Sequence, residues 1–251
     1  MENKLSKIED SSSGLRKYQI EIIQNIISDF QEPYIQLSRN QESDLISNDI
    51  LLAFGDLLRI HHSFSFEPFS KDKFEYMFVK VLNDFGIKSY LASKGNPGHD
   101  IIIGTTAVSL KTEAERSIKS ERIHISKFME LGKGEWNDDP EQLHFLLNRY
   151  LEHLKHYQRI LTLRCLSRNP WYYELVEIPK ELLMEAKNGQ IIMMSQSRQM
   201  PKPGYCNIMS SSNSIKFQLY FDGGSERKLQ IKNLDKSYCT IHSVWKFSIT
   251  P

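Results

Sequence analysis

Residues 96–114, NPGHDIIIGTTAVSLKTEA, constrain the fold of this chain more than any other stretch. Two runs of apolar, largely β-branched residues flank a short turn that begins with Gly104. Such runs around a glycine-containing turn are typical of a β-hairpin. Because side chains alternate between the two faces of a strand, Ser109, Lys111 and Glu113 should share one face of the second strand.

The length of the turn decides on which face Asp100 lies. A two-residue loop places Asp100 opposite Ser109, and a four-residue loop places it opposite Lys111. Either even loop puts the Asp100 carboxylate on the same face as the Lys111 amine. A three-residue loop would pair Asp100 with Leu110 and separate the two charges. The functional interpretation of the hairpin therefore depends on an even loop.

Helical periodicity dominates the chain before the hairpin, and short β-rich segments dominate from the hairpin onwards. Ser70 is a suitable N-cap for the helix that precedes the hairpin, and Pro140 is a suitable start for a later helix. This mixture predicts a single α/β domain, with a helical region at residues 15–68 and a core at residues 69–251. Residues 1–14 are predicted to be a disordered lead. Helices are predicted at 15–30, 45–60, 70–85 and 179–187, and strands at 87–91, 100–103, 107–112, 160–165 and 172–178.

Composition narrows the class of protein. Of the 251 residues, 40% are hydrophobic and 25% are charged, as in globular proteins. The N-terminus lacks the apolar core of a signal peptide, and no window approaches the roughly 18 apolar residues of a membrane span. Three widely spaced cysteines predict free thiols in the cytoplasm. The net charge of +1 argues against coating nucleic acid by bulk charge, although a local basic cleft remains possible.

The polar face of the hairpin has the residue types that metal-assisted phosphodiester hydrolysis uses. Two nearby carboxylates can hold Mg²⁺ through oxygen ligands. A lysine beside them can steer or activate a water and stabilise the charge of the transition state. The spacing alone fits a solvent-exposed hairpin face with an incidental ion pair equally well.

An aspartate, a short loop and an (Asp/Glu)-x-Lys motif on the next strand resemble the PD-(D/E)xK nucleases, the fold family of most type II restriction endonucleases. The blocks NPGHD, LKTEA, KFMELGKGEW, LVEIPK, PKPGY and YFDGG-ERKLQI also resemble, in this order, a group of type II restriction enzymes. The resemblance implies a mixed central β-sheet flanked by helices. It further implies a Mg²⁺-dependent endonuclease that cuts double-stranded DNA at CCCGGG to blunt ends, and a cognate DNA methyltransferase that protects the host site. A palindromic site implies a homodimer.

The sequence departs from the family pattern at one metal-binding position. Ser109 stands where the motif has an acid, and a serine cannot replace a charged metal ligand. Glu113, which shares the face of Lys111, is the first candidate replacement. Glu75, on the helix before the hairpin, is the second, and Glu115 and Glu121 rank third. The predicted catalytic and metal-binding set is Asp100, Lys111, Glu113, Glu75 and the Leu110 backbone carbonyl.

Two basic regions are candidates for DNA contacts. The region directly after the hairpin could hold phosphates next to the cut, or it could be an ordinary charged surface. The loop at residues 195–205 and the cluster after the Gly223-Gly224 turn suit base recognition, because arginine and lysine bind guanine O6 and N7. The candidates are Arg116, Lys119, Arg122, His124 and Lys127 in the first region, and Arg198, Gln199, Lys202, Arg227 and Lys228 in the second.

Two other functions are compatible with the sequence alone. A repair or structure-specific nuclease could use the same motif, and a noncatalytic DNA-binding protein could carry a degenerate one. Ser109 is the only support for the second alternative. The histidines form no convincing metal set, which disfavours a histidine-metal nuclease. Trp136, Trp171 and Trp245 are predicted to be core or hinge residues rather than platforms for bases.

Overall fold

A computed structural model describes residues 14–93, 95–96, 98–116, 118–132, 136 and 139–249. The predicted disordered lead lies outside the described residues, apart from Gly14. The helices of the described part are α1 (Lys17–Gln31), α2 (Asn48–His62), α3 (Lys71–Asp84), α4 (Pro140–His153) and α5 (Lys180–Met184), with 3₁₀ turns at Leu154–His156, Glu185–Asn188 and Lys236–Tyr238. None of the helices in this part of the chain is long and apolar enough to cross a membrane.

The strands form two sheets. The seven-stranded sheet has the order β1-β12-β7-β6-β4-β3-β2, and the five-stranded sheet has the order β5-β11-β10-β9-β8. The strands are β1 (Gln36–Arg39), β2 (Ser89–Leu91), β3 (Ile101–Ile103), β4 (Thr106–Glu113), β5 (Arg122–Glu130), β6 (Arg159–Arg168), β7 (Trp171–Glu177), β8 (Gln190–Met193), β9 (Gly204–Met209), β10 (Ile215–Phe221), β11 (Lys228–Asp235) and β12 (Thr240–Phe247).

The seven-stranded sheet is mixed. Strand β4 runs parallel to β6, and every other described strand pair is antiparallel. The parallel pair requires a long crossover, which here contains β5 and α4. The predicted α/β class with a mixed sheet and flanking helices is thus confirmed. Strand β1, which pairs with β12 at the sheet edge, lies in the region predicted to be helical and was not predicted.

The two faces of the seven-stranded sheet pack against different layers. On one face, Val108 and Leu110 of β4 belong to a core with Phe54 of α2 and Phe74 of α3. On the other face, Ile160 and Val176 pack with residues of the five-stranded sheet and of α4. This second face carries the polar side chains of β4. The three tryptophans are buried, as predicted.

Helix α3 positions the acid that the sequence places before the hairpin. Ser70 caps the helix, accepting a hydrogen bond from Lys73 N, as predicted. The buried stripe of the helix includes Phe74 and Phe78, and it holds the helix on the sheet. Lys71 and Glu75 lie one turn apart on a half-buried side of the helix that reaches the start of β3.

Candidate active site

The hairpin has the even loop on which the predicted site depends. Ile103 pairs with Thr106, and Ile101 pairs with Val108, so Gly104 and Thr105 form a two-residue turn. Gly104 has a φ of +61°, which suits a glycine in a tight hairpin turn. Because Asp100 precedes Ile101, it lies opposite Ser109. The predicted register is confirmed.

The Asp100 carboxylate is fixed by the strand opposite it. Oδ2 accepts a hydrogen bond of 2.6 Å from Leu110 N and one of 3.2 Å from Ser109 Oγ. Ser109, at the position where the predicted motif would have an acid, orients the aspartate and adds no charge. The backbone of Leu110 therefore lies directly against the carboxylate.

A second acid reaches Asp100 through a lysine of α3. Lys71 Nζ lies 2.7 Å from Asp100 Oδ1 and also contacts Glu75 Oε1. The side chains of Asp100 and Glu75 are only 19% and 17% exposed. Burial lowers the pKa of Lys71, but the charges and hydrogen bonds of Asp100 and Glu75 outweigh that effect and raise it. The ammonium is therefore held as a cation between the two carboxylates.

Lys111 lies in a cleft of about 1090 Å³ that Lys71 and Asp100 also line. Its Nζ is 5.5 Å from the centroid of the Phe128 ring on β5. Burial lowers the pKa of Lys111 to about 8, against the opposing charges of Asp100 and Glu75. A lysine whose pKa lies near neutrality can exchange a proton during a reaction more readily than an exposed one.

The far wall of the cleft is formed mainly by α4 and β5. Arg149 and His153 line it from the helix, and Lys127 lines it from the strand. Burial lowers the pKa of His153 to about 4, and the charge of Lys111 adds to this effect. His99, in the loop before β3, and His156 complete one end. Sequence reasoning assigned no function to these histidines.

Glu113 lies apart from this cluster. Glu113 Oε1 accepts a 3.0 Å hydrogen bond from His124 N of β5. Its other oxygen binds Arg164 Nε on the neighbouring strand β6. Glu113 lines a smaller cavity of about 220 Å³ together with Lys119, Arg122 and His124. Burial raises the pKa of the Glu113 carboxyl, and Arg164 opposes that shift.

Arg164 is fully buried and uses every nitrogen of its guanidinium group. Nε binds Glu113, and Nη1 binds Glu174 as well as the Ser120 carbonyl. Nη2 donates to the carbonyl oxygens of Lys119 and Arg122, at 2.8 and 2.7 Å. This network fixes the segment after β4 to the centre of the sheet, so Glu113 belongs to a buried ion-pair network.

The predicted phosphate-binding residues after the hairpin are divided, because Lys119, Arg122 and His124 line the smaller cavity beside Glu113 rather than the cleft. Arg116 and Lys119 are exposed. Arg122 donates to the carbonyl oxygens of Ile215 and Asn233, and His124 is hydrogen-bonded to Gln230. Only Lys127, which also pairs with Glu130, lines the cleft.

The predicted base-reading residues come together from two parts of the chain. A Cβ on Gly223 would lie 1.9 Å from Pro201 O, so the turn after β10 packs tightly against the loop between β8 and β9. Arg198 is exposed on this loop. Lys202 Nζ donates to Ser197 O at 2.6 Å, and Lys228 pairs with Glu226. Gln199 Oε1 is shielded and makes no hydrogen bond to the described residues. Arg227, with a φ of +41°, immediately precedes β11.

The described residues contain no group of three or more His, Cys, Asp or Glu side chains placed to hold a metal ion. Asp100 and Glu75 nevertheless flank one cation, the Lys71 ammonium, with carboxylate oxygens. Mg²⁺ commonly binds one or two carboxylates and completes its coordination with water and substrate phosphate. This donor set therefore fits a divalent cation. Lys71 was missed in the sequence because a lysine four residues before a glutamate is typical of any helix surface.

Comparisons with known proteins give the family. The chain matches the family model SmaI, described as a type II site-specific deoxyribonuclease, over residues 8–247. The type II restriction enzyme SmaI of Serratia marcescens is 50% identical over 211 residues, which cover 83% of each chain. A ribosomal RNA small subunit methyltransferase H of Chlamydia abortus is 27% identical over 125 residues, 49% of this chain and 41% of that protein. No solved structure gave a significant match.

The family model spans most of the chain, and the Serratia marcescens relative is similar over most of both lengths. These matches confirm the prediction of a type II restriction endonuclease. The chain belongs to the SmaI family of type II site-specific deoxyribonucleases.

Proposed function

We propose that this protein is a Mg²⁺-dependent homodimer in the cytoplasm that cuts double-stranded DNA at CCCGGG to blunt ends, with Asp100, Glu75 and Lys111 at the cutting site. The observation that carries the proposal is that Asp100 and Lys111, whose pKa is lowered, line one cleft, and that Lys71 of the same cleft links Asp100 to a second carboxylate, Glu75. A cognate DNA methyltransferase would protect the host site without binding this protein.

Asp100 and Glu75 are the acids that would hold the metal ion. Asp100 is oriented by two hydrogen bonds from β4, and Glu75, in α3, is linked to it through the Lys71 ammonium. The Leu110 carbonyl is a further proposed ligand, since the backbone of this residue lies against Asp100. A bound Mg²⁺ would supply positive charge to the phosphate undergoing attack.

Lys111 would act on the scissile phosphate from the floor of the cleft. Its ammonium can donate a hydrogen bond to a nonbridging oxygen and so stabilise the charge that develops on the phosphate. Its pKa of about 8 also allows it to release or take up a proton near neutral pH. The Phe128 ring of β5 lies beside this ammonium, with its centroid 5.5 Å from Nζ.

Glu75 is preferred to Glu113 as the second acid. The Glu113 carboxylate is engaged by Arg164 and by the His124 amide, and it lines the smaller cavity. Binding a metal there would deprive the fully buried Arg164 of one of its two carboxylate partners, which is costly. Glu113 is retained in the proposal as a positioning residue, because its network fixes the segment that carries Lys119 and Arg122.

The loop between β8 and β9 would read the bases, with the Arg227–Lys228 turn beside it. Replacing a residue that reads guanine costs about 1–3 kcal/mol at that base pair. We expect Arg198→Ala to weaken binding of a CCCGGG duplex more than binding of a shuffled duplex, as measured by fluorescence anisotropy with Ca²⁺. Lys127→Ala, on the cleft wall, should weaken both equally. Equal losses for Arg198→Ala would make Arg198 a phosphate contact only.

Digestion of a plasmid of known sequence with Mg²⁺, followed by sequencing of the product ends, tests reaction, target and cut position together. The proposal predicts discrete fragments with blunt CCC/GGG ends and no cutting in the presence of a chelator. Diffuse or junction-limited cleavage would point to a repair nuclease. Analytical ultracentrifugation with and without the duplex tests the homodimer.

A further inference from the structure

Lys71 is a residue of the cleft to which the proposed mechanism assigns no role. Its ammonium lies 2.7 Å from Asp100 Oδ1 and contacts Glu75, the two carboxylates proposed to hold the metal ion. The side chain is 38% exposed and lines the 1090 Å³ cleft. The positive charge of Lys71 therefore lies where a metal ion bound to these carboxylates would lie, and the open cleft is beside it.

We infer that Lys71 holds the place of the metal ion in the free protein and leaves the two carboxylates when a divalent cation binds. This inference rests on the proposed function. An ammonium and a divalent cation on the same carboxylate oxygens repel each other, so each weakens the binding of the other. The lysine stem is long and flexible, so the ammonium can move into the cleft without a change of the helix.

The arrangement has a benefit and a cost. Without a cation between them, the largely buried carboxylates of Asp100 and Glu75 would repel each other, so Lys71 holds both in place. The cost is competition, because the metal binds only the fraction of molecules in which the ammonium has left. If that fraction is about one tenth, the apparent dissociation constant is about tenfold weaker than the intrinsic one. The freed ammonium then faces the cleft, where it can contact a DNA phosphate.

Metal affinity of the full chain without DNA tests this inference. Ca²⁺ binding is measured by titration calorimetry for the wild type, Lys71→Met and Lys71→Gln. The matched control is Lys73→Met, which removes the same charge two residues further along α3. Lys73 is exposed and its Nζ lies 3.3 Å from His61 Nδ1, away from the carboxylates. We expect both Lys71 variants to bind Ca²⁺ about tenfold more tightly than the wild type, and Lys73→Met to bind like the wild type.

Each other result overturns the inference. Unchanged or weaker Ca²⁺ binding by the Lys71 variants would mean that the ammonium does not compete with the metal. An equal gain in Lys73→Met would mean that only general charge matters. The Asp100→Asn variant distinguishes failure of the proposed metal site from failure of the proposed role of Lys71. If the wild type binds no Ca²⁺, or if Asp100→Asn binds it equally well, the proposed metal site fails as well. If binding depends on Asp100 but not on Lys71, only the role of Lys71 fails.

Discussion

Lys111 and Glu113 lie two residues apart on the same face of β4, yet they belong to different chemical environments. Lys111 faces a cleft of about 1090 Å³ in which Lys71 and Asp100 are also partly open. Glu113 is enclosed in a network whose arginine is fully buried and fully hydrogen-bonded. Strand alternation places both charged side chains on one face, but their partners on neighbouring elements differ: Lys111 lines the cleft, whereas Glu113 is held in a buried ion-pair network.

Burial disfavours the charged form of both Lys111 and Glu113, and the net effect on stability depends on which contacts offset that penalty. It lowers the pKa of Lys111 to about 8 and raises the pKa of Glu113, in each case by disfavouring the charged form. Glu113 recovers stabilisation from direct contact with Arg164 and from a backbone amide. The Nζ of Lys111, by comparison, lies 5.5 Å from the centroid of the Phe128 ring. We therefore expect Lys111 to cost stability and Glu113 to contribute it, as is common where activity trades against stability.

The largest expected effect concerns cleavage. Asp100→Ala and Lys111→Ala should each slow single-turnover DNA cleavage by at least about a hundredfold, since each removes a group that we propose acts at the reacting phosphate. DNA binding in Ca²⁺ should remain measurable for both. Glu115→Ala, which removes an exposed acid two residues beyond Glu113, should cleave at the wild-type rate. Substantial cleavage by Asp100→Ala or Lys111→Ala would contradict the proposed role of that residue in cleavage.

The next largest effect concerns stability. Glu113→Gln leaves the Arg164 guanidinium without one of its two buried carboxylates. Removing one partner of a buried ion pair typically costs about 3–5 kcal/mol. Urea unfolding of Glu113→Gln should show a loss of this order. Lys80→Met, which breaks the exposed Lys80–Asp84 pair, should lose less than about 1 kcal/mol. Similar small losses in both variants would show that the buried network is not structural.

The smallest effect is a dependence of stability on pH. The folded-state pKa of Lys111 is about 8, below its ordinary value of 10.5. Between these values the unfolded chain binds more protons at this residue than the folded protein does, so stability rises with pH. The slope from one such group is at most about 1.4 kcal/mol per pH unit. Lys111→Met should lack this rise and be more stable than the wild type at pH 7. Parallel curves for the two proteins would contradict the assigned burial cost.

Local signals in the sequence predicted much of this arrangement. The Ser70 cap and the apolar stripe predicted α3. The glycine turn and the alternation of side chains along a strand predicted the register that places Asp100 opposite Ser109. The environment of Glu113, in contrast, is set by a residue 51 positions away in the sequence. The parallel register of β4 and β6 places Glu113 opposite Arg164. No periodicity within one segment reports such a pairing. Strand β1 escaped prediction for the same reason, because its partner is β12.

The choice between the two acids tests the central claim most directly. Single-turnover cleavage of a CCCGGG duplex with Mg²⁺ is measured for Glu75→Gln and Glu113→Gln, at a temperature where circular dichroism shows both to be folded. We predict that Glu75→Gln cleaves at least about a hundredfold more slowly at nearly unchanged stability, whereas folded Glu113→Gln keeps most of the wild-type rate. An active Glu75→Gln beside a folded but inactive Glu113→Gln would contradict the account and make Glu113 the second acid.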